Sequence, residues 1–205
     1  MIGILNYGLG NISAFSNIFG GLHKSFVIAS VKDDLKGVRK LILPGVGSFD
    51  HAMSLFNNSG MRDTVEKMVL NQDVPILGVC VGMQMLADSS EEGISSGLGW
   101  IKGKVKKIKN KPNDESTIYL PHMGWNDVLP TNSSLLFSGL ESEAKFYFLH
   151  SYFFECFEAK NTLATSHYGT SFSSAVGCQN IYGVQFHPEK SHHYGTLLLK
   201  NFSEI

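Results

Sequence analysis

The sequence predicts an α/β fold: an open, mostly parallel sheet flanked by helices, with additional antiparallel strands in the second half. Three observations lead there. Short apolar runs alternate with amphipathic stretches through the first 80 residues, the pitch of βαβ units. After residue 100 strand-like runs follow one another with few helical stretches between them. Hydrophobic residues make up 43% of the 205 and charged residues 17%, enough apolar surface for a sizeable core. No repeat, low-complexity stretch or linker is visible, so residues 1–205 are expected to form one domain.

MIGILNY (1–7) reads as a buried strand, and Ile12, Phe15, Ile18, Phe19 and Leu22 keep helical spacing after it. Residues 25–29 and 38–43 read as strands, the second stopped by Pro44 and Gly45; 61–71 suits a helix. PILGVC (75–80) is a strand ending at glycines, with a helix expected through Met83, Gln84, Met85, Leu86 and Ala87. Residues 101–128 pass from a Lys-rich strand through the polar loop NKPND to IYLPHMGW, an antiparallel pattern. Strands are expected at 146–153, 163–167, 173–178 and 181–187, the last two joined by Gln179 and Asn180 as a hairpin. A helix over roughly 192–204 completes the chain.

Composition excludes several functions. Lys and Arg total 17 against 18 Asp and Glu, a net charge of -1, so no nucleic acid and no membrane surface is expected as partner. No apolar run approaches the roughly 18 residues of a bilayer span, and the N-terminus lacks a basic leader. Cys80, Cys156 and Cys178 are scattered, which argues against a disulfide framework and for a reducing cytoplasm.

The strongest local signal is GVCVGMQ (78–84), an apolar strand running into Gly-x-Cys-x-Gly and a helix. Glycines on both sides permit a sharp turn that pushes the cysteine out above the sheet. The helix then aims its N-terminal amides and positive dipole end at the sulfur, favouring thiolate. HPE (187–189) supplies a partner. Pro188 biases His187 toward extended geometry, in which residues i and i+2 share a side about 6–7 Å apart. Glu189 can then hold His187 at Nδ1 and leave Nε2 for Cys80. PGVG (44–47) also ends a strand, where backbone N–H groups, with that of Val81, are free to serve an oxyanion. The acid follows the histidine by two residues, unlike the order in α/β-hydrolases.

Together these residues resemble the class I, triad-type glutamine amidotransferases, and within them the branch of glutaminase subunits serving imidazole glycerol phosphate synthase in histidine biosynthesis. NYGLGN (6–11), LPGVGSF (43–49), GVCVGMQ (78–84), SEEG (90–93), LPHMGWN (120–126), FLHSY (148–152) and GVQFHPEKS (183–191) stand in the family's order and span essentially the whole chain. The resemblance implies a flavodoxin-like sheet and hydrolysis of L-glutamine to glutamate and ammonia through a Cys80 thioester. It implies Cys80, His187 and Glu189 as the triad, and Gly47 and Val81 as the oxyanion hole. Gln84, Glu92, Ser151 and Tyr152 would hold the glutamine head group. Asn11, Trp125, Asn126 and Lys190 would lie toward a partner, a TIM-barrel cyclase subunit in a heterodimer that receives the ammonia. GLGW (97–100) and the tail from His187 to Phe202 are closer to a paralogous branch of surface-polysaccharide gene sets, which implies a sugar amidotransferase as the alternative acceptor enzyme. A stand-alone cysteine hydrolase and a non-enzymatic scaffold are the remaining readings; SEEG and HSY count against the first, and the intact triad against the second.

No cofactor and no metal is expected: His192 and His193 are adjacent and have no carboxylate at ligand spacing. KGKVKKIKNK (102–111) reads as a solvated edge strand rather than a phosphate or RNA site. His150 reads as a strand residue near the site, since His187 already has an orienting acid. His122 and Trp125 could be core packing, with Trp125 at an interface by the resemblance. Cys156 and Cys178 read as small buried hydrophobes.

Overall fold

The computed structural model describes residues 1–109, 118–131 and 134–205. The expected loop NKPND falls outside these residues, as does the end of the Lys-rich stretch. The strands of the first half are β1 (Ile2–Leu5), β2 (Phe26–Ala29), β3 (Lys40–Gly45) and β4 (Ile76–Cys80). The helices between them are α1 (Ile12–Gly21), α2 (Phe49–Asn58) and α3 (Arg62–Asn71). A single turn, α4 (Val81–Gln84), follows β4. Then come β5 (Ser89–Ser90), β6 (Gly103–Lys107), β7 (His122–Asp127), β8 (Leu129–Pro130), β9 (Lys145–His150) and β10 (Tyr152–Cys156). The chain closes with β11 (Thr162–Tyr168), β12 (Thr170–Cys178), β13 (Ile181–Val184) and α5 (His192–Glu204).

The main sheet has the order β2-β1-β3-β4-β13-β12-β10-β6-β5, with β11 and β8 attached through β12. From β2 to β13 every pairing is parallel; β13–β12, β12–β10 and β10–β6 are antiparallel. The inner strands are apolar, and every residue of β1 and β4 is buried, as both faces of a parallel sheet require. Helices α1 and α5 pack on one another, as do α2 and α3. The expected α/β class therefore holds, and so does the hairpin at Gln179–Asn180, where Cys178 pairs with Ile181 and Gln179 takes a φ of 54°. Among the described residues no helix is long and apolar enough to cross a membrane.

Four local expectations are corrected. Residues 146–153 are not one strand: the chain leaves the small β7–β9 sheet at Ser151 and enters the main sheet as β10. A single strand could not serve both, because the Ser151 carbonyl is taken by the N–H of Ile108 in the main-sheet neighbour. The helix after Cys80 lasts one turn. The carbonyls of Met85, Leu86 and Ala87, which would extend it, accept instead from Leu98, Ile101 and Gly99 of the following loop. Strand β13 stops at Val184; the chain bends at Gln185 and Phe186, His187 bridges to Tyr147 of β9, and Pro188–Lys190 close a 3-10 turn where extended chain was expected to carry Glu189. Helix α2, which the sequence pattern left unassigned, buries Phe49, Ala52, Met53 and Phe56, an i, i+3, i+4, i+7 stripe.

Candidate active site

The β4–α4 corner is a sharp strand-to-helix elbow with Cys80 at its apex. Cys80 takes φ 55° and ψ -112°, a conformation that costs a non-glycine residue about 1–3 kcal/mol and persists only where its surroundings enforce it. They do. The carboxyl ends of β3 and β4 lie side by side, Gly45 opposite Cys80, and a side-chain carbon on Gly82 would run into the Leu43 carbonyl. The sulfur is not pushed out as expected. Cys80 is 4% exposed, because β9 passes over the elbow and puts the Leu149 carbonyl 3.9 Å from Sγ. With only one helical turn behind it, the sulfur has local amides rather than a long helix dipole to favour its charge.

His187 and Glu189 arrive from the far end of the chain. Glu189 Oε1 accepts from His187 Nδ1 at 2.8 Å, and the two side chains are only 3% and 2% exposed. His187 is fixed by its own N–H, which donates to Tyr147 O at 2.8 Å, and by Ser191, whose hydroxyl donates to the His187 carbonyl at 2.6 Å. Burial alone would lower the His187 pKa. Hydrogen bonds to Cys80 and Glu189, and the charges those groups carry, outweigh it and push the imidazole up to about 10. At neutral pH His187 is thus held protonated between a sulfur and a carboxylate.

Cys80 and His187 line a cavity of about 320 Å³, together with Gly47, Val81, Gln84, Glu92, Ser151, Tyr152 and Lys190. Every residue expected in the oxyanion hole and the head-group set is therefore brought to one wall or another of the same space. Gly47 has φ 83° with open space where a side chain would start, a backbone that only glycine adopts freely. Glu92 Oε2 accepts from the N–H of Phe49, the first residue of α2, at 2.8 Å. Asp50 Oδ2 and Oδ1 accept from the N–H groups of Ile94 and Ser95, both at 3.0 Å, so α2 holds the loop that carries Glu92.

The expected partner residues separate into three groups. Trp125 is 48% exposed and stacks on His192, ring centres 5.2 Å apart; Lys190 lies at the cavity with Nζ 5.8 Å above the Tyr147 ring. Asn126 faces inward: its Nδ2 donates to His167 O at 2.9 Å and lies 3.3 Å from His122 Nε2. Asn11 is exposed at the start of α1 and lies outside the cavity lining.

Beyond the expected set, four residues near the site stand out, of which His150 was expected close by and Tyr7 and Gln185 were not. Tyr7 donates its hydroxyl to the Pro44 carbonyl at 2.6 Å, tying β1 to the PGVG turn; burial first, then the Cys80 charge, keep that phenol protonated far above its usual range. Gln185 lies against Cys80 Sγ. His122 and His150 form a buried pair, Nδ1 of the first 2.9 Å from Nε2 of the second, and burial lowers their pKa values to about 4 and about 3. That buried pairing means that neither is a surface group. Tyr7 sits in the quoted NYG and Gln185 in GVQF, but neither residue type announces such a role by itself.

The family profile described as glutamine amidotransferase class-I matches residues 23–204. The chain belongs to the class I glutamine amidotransferase family. It is 58% identical to the imidazole glycerol phosphate synthase subunit HisH of Bdellovibrio bacteriovorus and 50% identical to that of Leptospira borgpetersenii, over 100% of both chains in each case. Among solved structures, a glutamine amidotransferase of Thermotoga maritima shares the fold with a TM-score of 0.63 at 16% identity, covering 99% of this chain and 82% of that one. PurLQS of the same organism does so with a TM-score of 0.70 at 16% identity, covering 99% and 97%.

Proposed function

We propose that this class I amidotransferase is the glutaminase subunit of imidazole glycerol phosphate synthase, releasing ammonia from L-glutamine for a separate cyclase subunit. The observation that carries it is the Cys80–His187–Glu189 arrangement opening into a cavity that also holds Glu92 and Gln84. The Cys80 thiolate attacks the side-chain amide carbon. Backbone N–H groups at Gly47 and Val81 take the oxyanion, and protonated His187 gives its proton to the departing nitrogen as the C–N bond breaks. His187, now neutral, takes a proton from water as it attacks the thioester, and collapse returns glutamate and the thiolate. Glu92 supplies the negative charge that suits the α-ammonium of glutamine. Gln84 has both amide protons committed to Tyr152 O and Gln185 Oε1, so it offers a ligand only its carbonyl oxygen.

The β7–β9 face suits a partner subunit. Met123 pairs with Leu149 and Trp125 with Tyr147, and their outward side chains leave Met123 66% and Leu149 37% exposed beside the cavity mouth. An apolar face at that mouth suits a second subunit that seals it. The relatives' names favour the histidine-pathway cyclase, a TIM barrel by the resemblance, over a sugar amidotransferase. Three free cysteines suit a reducing cytoplasm as the place of action.

Cys80→Ala should abolish glutamate release from glutamine while far-UV circular dichroism stays native. A glutamine-like diazo-ketone should label Cys80 and spare Cys156 and Cys178, as read by peptide mass spectrometry. Residual turnover above a few percent, or label mainly on Cys156 or Cys178, overturns the assignment.

A further inference from the structure

We propose that Gln185 is a positioning residue for the nucleophile: it donates an amide hydrogen bond to the Cys80 sulfur and stabilises the thiolate over the thiol. This rests on the reading of Cys80 as the nucleophile. Gln185 is 0% exposed and sits at the bend just after β13, its backbone N–H donating to Ser174 O at 2.9 Å. Its carboxamide lies between two groups, with Oε1 3.0 Å from Gln84 Nε2 and Nε2 3.8 Å from Cys80 Sγ.

The far end of this chain of contacts decides which end of the amide faces the sulfur. The Tyr152 carbonyl can only accept, and it accepts from Gln84 Nε2 at 3.0 Å and from His150 Nδ1 at 2.8 Å. Gln84 must therefore present its nitrogen there, and the second proton of that nitrogen needs an acceptor. Gln185 supplies its oxygen, which leaves its own NH2 toward Cys80. A flipped Gln185 would set two NH2 groups against each other. An NH2 group can only donate, and a thiolate accepts such a bond better than a thiol. The opposing preference comes from the Leu149 carbonyl, 3.9 Å from Sγ, which receives an S–H but repels a thiolate. Other polar groups near the sulfur include His187, itself held by Glu189, and Tyr7, whose hydroxyl is committed to Pro44 O; Glu92 and Lys190 are the other charged side chains lining the same cavity among the described residues. Unlike His187, an amide supplies its proton at every pH and does not have to be charged first.

The test uses the full chain and two near-isosteric variants, Gln185→Met, which removes the donor, and Gln185→Glu, which replaces it with a carboxylate while keeping an acceptor for Gln84. The readout is the rate of Cys80 alkylation by iodoacetamide from pH 6 to 10, by peptide mass spectrometry, with Cys156 and Cys178 as internal standards. In Gln185→Met the Cys80 profile should move up by about one pH unit, about a tenfold loss of rate near neutrality; in Gln185→Glu it should move further. Glutamine turnover should lose kcat with little change in KM. A folded Gln185→Met with an unmoved profile, or one slowed uniformly at every pH, overturns the proposal, since packing alone would act that way. Should Gln185→Met not fold, Gln185→Glu decides by the same criterion. Alkylation of Cys80 is read without turnover, so failure of the glutaminase reading (hydrolysis surviving Cys80→Ala) is a distinct outcome.

Discussion

The proton on His187 connects catalysis to stability at the scale of one residue. Its pKa is raised in the folded chain to about 10 from an ordinary 6.5, because the hydrogen bonds and charges of Cys80 and Glu189 overcome the opposing effect of burial. A raised folded value means that the native state binds the proton more tightly than the unfolded one. The stabilisation is therefore complete below about pH 6.5 and is lost as pH rises through about 10, at no more than about 1.4 kcal/mol per pH unit. Urea midpoints of wild type and His187→Asn should differ most at pH 6.5, and the gap should narrow steadily toward pH 10. In Cys80→Ala that narrowing should be smaller, since one of the two groups holding the proton is gone. A gap that stays constant from pH 6.5 to 10 would mean that His187 is neutral in the native state and that no ion pair precedes the attack.

At the scale of elements, the site depends on how closely the β4–α4 elbow approaches β3. A side-chain carbon on Gly82 would meet the Leu43 carbonyl oxygen, and one on Gly45 would meet the Gly82 backbone nitrogen; both obstacles are backbone, which cannot swing aside. Gly82→Ala should therefore cost about 1–3 kcal/mol, toward the upper end because the obstacle is backbone, and should remove activity by displacing Cys80. Urea titration with a loss under 1 kcal/mol would show that β3 and the elbow can separate, and that the strained Cys80 conformation is enforced elsewhere. This elbow was legible in the sequence because GVCVG carries its own geometry; HPE was legible as a His–acid pair, but Glu189 reaches His187 from the 3-10 turn Pro188–Lys190 and not along the extended chain expected. The one-turn length of α4 was not legible. Met83 to Ala87 have ordinary helix formers' spacing, and only the tertiary hydrogen bonds from 98–101 end the helix there. The split of FYFLHSYF between two sheets was hidden for the same reason: both halves are strand-like, and only the partners chosen by β9 and β10 tell them apart. Helix α2 carries its signal in the apolar stripe Phe49, Ala52, Met53 and Phe56, directly after the PGVG turn. Tyr7, Gln185 and His122 act through long-range hydrogen bonds to Pro44, Cys80 and His150, and sequence spacing holds no trace of such contacts.

Across the whole molecule, the cavity at Cys80 and His187 opens beside an exposed apolar face that includes Met123, Trp125 and Leu149, with Leu149 and Lys190 on the cavity wall itself. Ammonia released there into neutral water would become almost entirely ammonium, which is not a nucleophile. A partner that covers this face would receive ammonia before it protonates, and covering the mouth also raises the strength of every interaction at the oxyanion site by excluding water. Two activities of the complex should then separate. With the cyclase subunit bound, Cys80→Ala should abolish product formation from glutamine yet leave product formation from concentrated ammonium at alkaline pH within about twofold of wild type, because hydrolysis uses this chain and ammonia capture uses only the partner. Trp125→Ala should weaken glutamine-driven synthesis while ammonium-driven synthesis by the partner persists, the outcome expected if the exposed indole lies in the seal; truncating an aromatic hot spot costs about 2 kcal/mol or more. The comparison is made by measuring both reactions on the same preparation with the imidazole-forming cyclase first and a sugar amidotransferase second. If Cys80→Ala suppresses the ammonium-driven reaction as strongly as the glutamine-driven one, this chain takes part in the acceptor chemistry itself. If the cyclase gives no glutamine-driven product with the wild-type chain and the sugar enzyme does, the ammonia goes to a different acceptor, delivered from the same glutaminase site.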